Sequence, residues 1–290
     1  MQKIIEEENE VVSESITKPF ENVQGLEAII LGLDKAIIKP VYTENVDNRQ
    51  HQKMERYAAI INENRKIVEA IVSNKYTLVQ HKDAFEPLIK AVKLLNIKVH
   101  GEVVDCGGRV YINMLFDSPE AKVIPADGHE IQLGLRAINS YDASHALFAE
   151  AYGYRALCTN GMILGKTLVS CVKKIHIGEI SEAKLMSTFI KEVLKSSPKL
   201  IKLTNDAIKE RVSQMHMQVV FKRLKFGDRQ VMKILKRVKK HEEITRYDLY
   251  NRATDWITHQ PNITEDTKRV YHSRATELLE KPIAIIIGRE

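Results

Sequence analysis

The chain has 290 residues, 44% hydrophobic and 28% charged, enough to bury a sizeable core in one large or two modest domains. No apolar run reaches bilayer-spanning length, and the acidic start MQKIIEEENE is not a secretory signal. Three scattered cysteines (Cys106, Cys158, Cys171) suit a reducing, cytoplasmic setting, and no CxxC, HExxH or histidine pair at ligand spacing points to a metal. Neither a metal nor another cofactor is expected. The net charge of +6 is uneven: residues 1–50 carry net −5, residues 51–165 net 0, and residues 166–290 net +11 from 26 basic and 15 acidic side chains. A basic third on a neutral core is either a nucleic-acid surface or a solvated lysine-rich helical face.

In chain order, residues 1–20 are acidic and without periodicity. Gln24 to Ile38 (QGLEAIILGLDKAII) reads as helical, wholly or in part, and is closed by Lys39 and Pro40; TENVDNRQHQK then reads as a linker. YAAII and KIVEAIV flank NENR as a hairpin. Phe85, Leu88, Ile89, Val92 and Leu95 share one helical face. IKVHGEVVDC and RVYINMLF, joined by Gly107 and Gly108, give the strongest hairpin signal. HEIQLGLRAIN, HALFAEAYGYRALC and LVSCVKKIHI continue as strands. From Ser181, a candidate N-cap, the period becomes helical, with Leu185, Met186, Phe189, Ile190, Val193 and Leu194 in one stripe. Further helices are expected from Ser197 and Pro198, after a cap at Asp228, and around RYDLYNRATDWI and EDTKRVYHSRATELL. The expected fold class is α+β: an antiparallel, hairpin-rich sheet with an embedded helix, then a helical C-terminal region. The expected division is an acidic segment with a short helix (1–50), an α+β core (51–180) and a basic helical region (181–290).

TNGMILGKTL, Thr159 to Leu168, imitates a phosphate-binding loop. That loop needs four residues between its glycines, and here Gly161 and Gly165 have three. Met162, Ile163 and Leu164 are bulky where an anion-wrapping loop favours small residues, and TLVSCVKKIHI favours strand over the required helix. Lys166 and Thr167 are therefore not expected to bind ATP. A metal-nuclease reading has Asp105 and Glu120-Ala121-Lys122 in the right order, but Ser118 and Pro119 break the second strand. Cys158, in the apolar run ALC, reads as a buried cysteine rather than a nucleophile. No enzymatic activity is expected.

The sequence blocks YTLVQHKDAF, GGRVYINM, NSYDASHALFAEAYGYRALCTNGM, VKKIHIGEIS and TRYDLYNRATDWI carry a resemblance. From about Tyr57 to Leu279 the chain resembles an uncharacterised family common in phages and plasmids, labelled only as phage/plasmid-like proteins with a domain of unknown function. The most specific parts are Arg155, Cys158 and Asn160, and Lys174, His176 and Gly178. Where the family tends to have Ser-His-Asp-Gly, this chain has Ser140, Tyr141, Asp142 and Ala143. The arrangement is similar, more remotely, to single-strand annealing recombinases of the RecT/Red-beta and Rad-fifty-two type. That similarity implies ATP-independent annealing, rings or filaments, and single-stranded DNA held in a basic groove.

The resulting expectation is a single-stranded DNA-binding protein that promotes strand annealing for a phage, virus or plasmid. The alternative is a non-enzymatic duplex-DNA-binding, structural or regulatory protein of a mobile element. FGDRQVMKILKRVKK could pass for a recognition helix, but no compact helix-turn-helix is legible before it. Candidate phosphate contacts are Arg109, Arg136, Arg155 and Asn160 on the strands, then Lys166, Lys173, Lys174 and His176. A third group is Lys222, Arg223, Lys225, Arg229, Lys233, Lys236, Arg237 and Lys240. Self-association is expected through edge strands of the β core, with the apolar tail KPIAIII (Lys281 to Ile287) as a candidate strand for a neighbour.

Overall fold

The computed structural model describes residues 15–44, 50–145, 148–155, 160–164, 172–173, 179–236, 238 and 244–288. Its central sheet grows from the Gly107–Gly108 hairpin. Strand β1 is Ile16–Phe20, β2 Ala36–Glu44, β3 His51–Asn62, β4 Val68–Ser73, β5 Val99–Asp105 and β6 Arg109–Phe116. After a 3-10 turn at Pro119–Ala121 come β7 Lys122–Val123, β8 Ile131–Ser140, β9 Phe148–Arg155, β10 Asn160–Ile163 and β11 Val172–Lys173. The sheet order is β1-β5-β6-β8-β9-β10, with β7 on β8 and β11 on β9, and every pairing is antiparallel. Strands β2, β3 and β4 form a separate three-stranded sheet.

Alternation along β6 assigns the two faces. Val110, Ile112, Met114 and Phe116 point into the main apolar core, whereas Arg109, Tyr111, Asn113 and Leu115 point the other way. The apolar face is covered by helices α1 (Val23–Leu31), α2 (His81–Leu95) and α3 (Glu179–Lys195). In α2 the residues Phe85, Leu88, Ile89 and Val92 are buried, as their spacing predicts, and Asn96 ends the helix in the left-handed conformation. The helical region continues with α4 (Ser197–Lys209), β12 (Arg211–Val212), α5 (Gln214–Arg223), α6 (Asp228–Leu235) and β13 (Ile244–Thr245). It ends with α7 (Arg246–Thr258), α8 (Glu265–Glu280) and α9 (Ile283–Ile287). One apolar cluster runs from Phe20 through the sheet to Ile283, so both the N-terminal elements and the C-terminal helices share the sheet's core.

The α+β class and the C-terminal helices agree with the sequence. Several local expectations do not. The run Gln24 to Ile38 is helical only in its first part: Asn22 caps α1 by accepting from the Gly25 N–H at 2.8 Å, the helix stops at Gly32, and Ala36 opens β2, so Lys39 and Pro40 lie inside a strand rather than closing a helix. The supposed linker TENVDNRQHQK contributes the end of β2 and the start of β3, with its residues 45–49 outside the described residues. Ser181 lies inside α3 rather than at its cap, and Leu185 of the expected stripe is exposed. The cap of α6 is Gly227, whose N–H donates to Gln230 Oε1 at 2.7 Å, and Asp228 is the first helical residue. The tail Ile283–Ile287 is a helix packed on α5, not a strand offered to a neighbour. Of the strand read in LVSCVKKIHI, only the backbone of Val172–Lys173 is described.

Close strand packing makes two glycines obligatory. A Cβ at Gly134 would lie 1.9 Å from the Met114 carbonyl oxygen, and one at Gly101 would lie 2.0 Å from that of Asn113. Gly134→Ala is expected to destabilise the chain by about 3 kcal/mol or more, because backbone rather than a movable side chain must yield. Gly128→Ala, with open space around a left-handed backbone, should cost only about 1–2 kcal/mol. Urea unfolding of the two variants checks the ordering.

Candidate nucleic-acid interface

The second face of the sheet carries a polar row between two small apolar clusters, Val104, Tyr111, Ile138 and Phe148 on one side and Leu115, Tyr152 and Ile163 on the other. Register places Glu102, Asn113, Arg136 and Glu150 side by side across β5, β6, β8 and β9. Arg136 and Glu150 are each only 3% exposed, so their charges need partners within the protein. Helix α8 supplies them. Arg136 donates to Glu265 at 2.7 Å and lies 4.8 Å from the Tyr111 ring centroid; Arg269 makes a two-pronged pair with Glu150 at 2.8 and 3.2 Å. Arg109 bridges Asp142 and Asp266, and Tyr111 and His145 also reach Asp266, at 2.9 and 3.3 Å. Burial pushes the Glu265 carboxyl up, but Arg136 and Lys268 outweigh it and hold it below the usual carboxylate range.

This geometry corrects part of the expected set of phosphate-binding residues. Arg136 is sealed under α8. Arg155 is equally buried, donating to Asp127 at 2.7 Å with its guanidinium 5.6 Å from the Tyr247 ring centroid. Arg109 is about one third exposed but is held between two carboxylates. Arg136 and Arg155 spend their charge on internal carboxylates and do not present it to solvent; a phosphate reaching Arg109 meets Asp142 and Asp266 first. The sequence signal for this was a lone arginine inside a strongly apolar strand, as in LGLRAIN.

Asn160 sits in β10 opposite Arg155, and Lys173 in β11 opposite Phe148. Lys166, Lys174, His176, Arg237 and Lys240 lie outside the described residues. Asn160–Ile163 form an edge strand on β9, with Gly161, Met162, Ile163 and Leu164 buried. Its first glycine is therefore inside a ladder rather than in a loop around an anion.

The remaining expected phosphate-binding residues do converge. Lys222, Arg223, Lys225, Arg229, Lys233 and Lys236 are all exposed on α5, α6 and the turn between them. Val231 and Ile234 face inward, which turns Arg229, Met232, Lys233 and Lys236 to solvent. Asp228 is the single carboxylate in this stretch and pairs with Lys222 at 3.0 Å on the surface, an interaction worth about 1 kcal/mol at most. Met215, Val219 and Met232 add exposed apolar surface beside the cations.

Aromatic packing fixes this face to the body. Phe226 stacks on Tyr271 of α8 at 5.2 Å and meets Phe221 and Trp256 edge-on at 5.4 and 6.4 Å. Lys225 takes a left-handed conformation, φ 61°, so that the Phe226 N–H reaches back to the Phe221 carbonyl at 2.9 Å; Arg274 donates to the Lys225 carbonyl at 2.8 Å. The turn between α5 and α6 is thus only four residues, Leu224 to Gly227. A helix with a short turn does precede α6, contrary to the sequence reading.

The family profile for a domain of unknown function, DUF932, matches residues 69–280. The chain belongs to the DUF932 family. Comparison with curated proteins and with solved structures finds no match. The DUF932 region spans the polar row, α8 and the cationic α5–α6 face, while β1, α1, β2 and β3 precede it. At the position where the resemblance leads one to expect glycine, Ala143 has a left-handed backbone, φ 58°. Tyr141, in place of the expected histidine, stacks on His81 at 3.9 Å and accepts its N–H at 3.1 Å.

Two histidines of this region are buried and neutral. Burial pulls His81 and His272 down to about 3, from an ordinary 6.5. Between pH 6.5 and 3 the unfolded chain therefore binds more protons than the folded one, and stability falls as pH drops through that window. The expected slope well below pH 6.5 is up to about 1.4 kcal/mol per pH unit for each histidine. Below the ordinary carboxylate range, Glu265, Asp142 and Asp34, whose folded values are lowered, add to the loss. Urea midpoints measured from pH 7 to 5 should show the decline, and His272→Gln should make it shallower; an unchanged slope refutes the assignment.

Proposed function

We propose that the chain binds single-stranded DNA on the α5–α6 face and promotes strand annealing without nucleotide hydrolysis, in the service of a mobile element. The observation that carries this reading is the exposed group of six cations on two short helices with one opposing carboxylate. Such a face neutralises phosphates and releases counterions, so affinity comes with a steep salt dependence. Met215, Val219 and Met232, exposed among the cations, favour single strands over duplex. Unstacked bases offer apolar faces for these side chains to cover, whereas in a duplex those faces are buried in the stack. The remote similarity to annealing recombinases points the same way and rests on sequence alone.

A second reading has its own observation. Helices α5 and α6 joined by four residues that include a glycine have the spacing of a helix-turn-helix, with the basic α6 in the second position. That arrangement would favour duplex DNA through the major groove.

Both readings are separated by one titration. A labelled oligonucleotide and its duplex are titrated with the full chain at several salt concentrations, with and without ATP and magnesium. Tighter single-strand binding that ignores ATP supports the first reading, and tighter duplex binding supports the second. Replacing Lys222, Arg229, Lys233 and Lys236 by glutamine should leave folding intact and weaken binding. The same change should reduce the single-strand salt slope by roughly 0.7 for each phosphate that is no longer neutralised. If affinity and slope are unchanged, the face is only a solvated helical surface.

A further inference from the structure

The three-stranded sheet has one covered face and one open face. Ala36, Ala58, Ile60 and Val72 pack with Tyr141 on the covered side. On the other side Tyr57, Val68 and Ile71 are about half exposed, at 47%, 57% and 54%. Their positions follow from the pairs Tyr57 with Ser73, Ala59 with Ile71 and Ile61 with Val68.

Four described edge strands exceed two residues, and three of them carry a device against pairing with another chain. Strand β1 has Lys18 and Pro19 in its middle. Strand β2 has Lys39 and Pro40 and a register shift before Tyr42. Strand β10 lies under α7 and α8, where Thr276 Oγ1 donates to the Ile163 carbonyl at 3.0 Å. Strand β4 has neither lysine nor proline. Its one irregularity falls at the Val68 end and leaves Ala70–Ser73 in unbroken register. Its one charged residue, Glu69, is engaged by Asn62 and Arg65.

We propose that β4 pairs antiparallel with β4 of a second copy of this chain, joining two three-stranded sheets into one of six strands. The sequence of the strand selects this occupant. With a two-fold axis at Ile71, that residue meets its own copy, Ala70 meets Val72, and Glu69 meets Ser73. No charge faces its like, and the apolar residues meet on both faces of the joined sheet. A two-fold contact closes on itself and leaves no β4 edge open for further growth. The open row of Tyr57, Val68 and Ile71 becomes continuous across the junction.

Sedimentation equilibrium of the full chain at micromolar concentration tests this. The expected mass is twice the 33.2 kDa of one chain. Ile71→Lys should halve that mass, because the exposed side chain can change without disturbing the core. Val219→Lys, the same kind of change on α5, should leave it doubled. In a second measurement, Ile71→Cys is oxidised under mild conditions. Directly opposed antiparallel residues lie within the disulfide range of about 4.4–6.8 Å, so one linked dimer should form that the unaltered chain does not give. A single-chain mass for the unaltered protein, or a doubled mass that survives Ile71→Lys, overturns the proposal. No nucleic acid is present in either measurement, so their failure leaves the reading of the α5–α6 face as it stands.

Discussion

The pairing of Arg136 with Glu265 organises much of this molecule. A guanidinium sealed inside a sheet has to find a carboxylate, since an unpaired charge there would cost several kcal/mol. The carboxylate stands in the first turn of α8, so satisfying Arg136 brings that helix onto the polar face. Once α8 is there, Arg269 reaches Glu150, Asp266 reaches Arg109 and Tyr111, and Tyr271 stands where Phe226 can stack on it. The turn between α5 and α6 rests on that stack. The orientation of the cationic surface is therefore tied, through one helix, to a single buried charge in β8.

Much of the architecture was legible in the sequence because local chemistry and tertiary packing agree there. Gly107 and Gly108 between alternating runs marked the central hairpin, and the stripe from Phe85 to Val92 marked α2. Legibility failed where short apolar runs fit either period. In AIILGLDKAII the same residue types make a helix before Gly32 and a strand after Lys35. In IAIII a β-branched run is helical because packing against α5 overrides its propensity.

The candidate site divides in the same way. The cations from Lys222 to Lys236 are exposed because apolar residues between them recur at helical spacing and turn inward, a pattern carried by neighbouring residues. The fate of Arg109, Arg136 and Arg155 was not legible, because their partners are remote. Asp266 is 157 residues from Arg109, Glu265 is 129 from Arg136, and Asp127 is brought to Arg155 only by the sheet's connections. Composition counts a buried, paired arginine and a solvent-facing one as the same charge.

Those long separations have a bearing on how the chain is made. During synthesis the sheet strands emerge well before α8, so the second face of the sheet waits uncovered. An apolar face in that position would invite association with other unfinished chains. A row of glutamate, asparagine and arginine stays hydrated while it waits and gives up its water only when the acidic turn of α8 arrives. The charged row thus interrupts the apolar area of this face, which would otherwise run unbroken from the Val104 cluster to the Leu115 cluster. Contacts of such high sequence separation also place the docking of α8 among the later and slower events of folding.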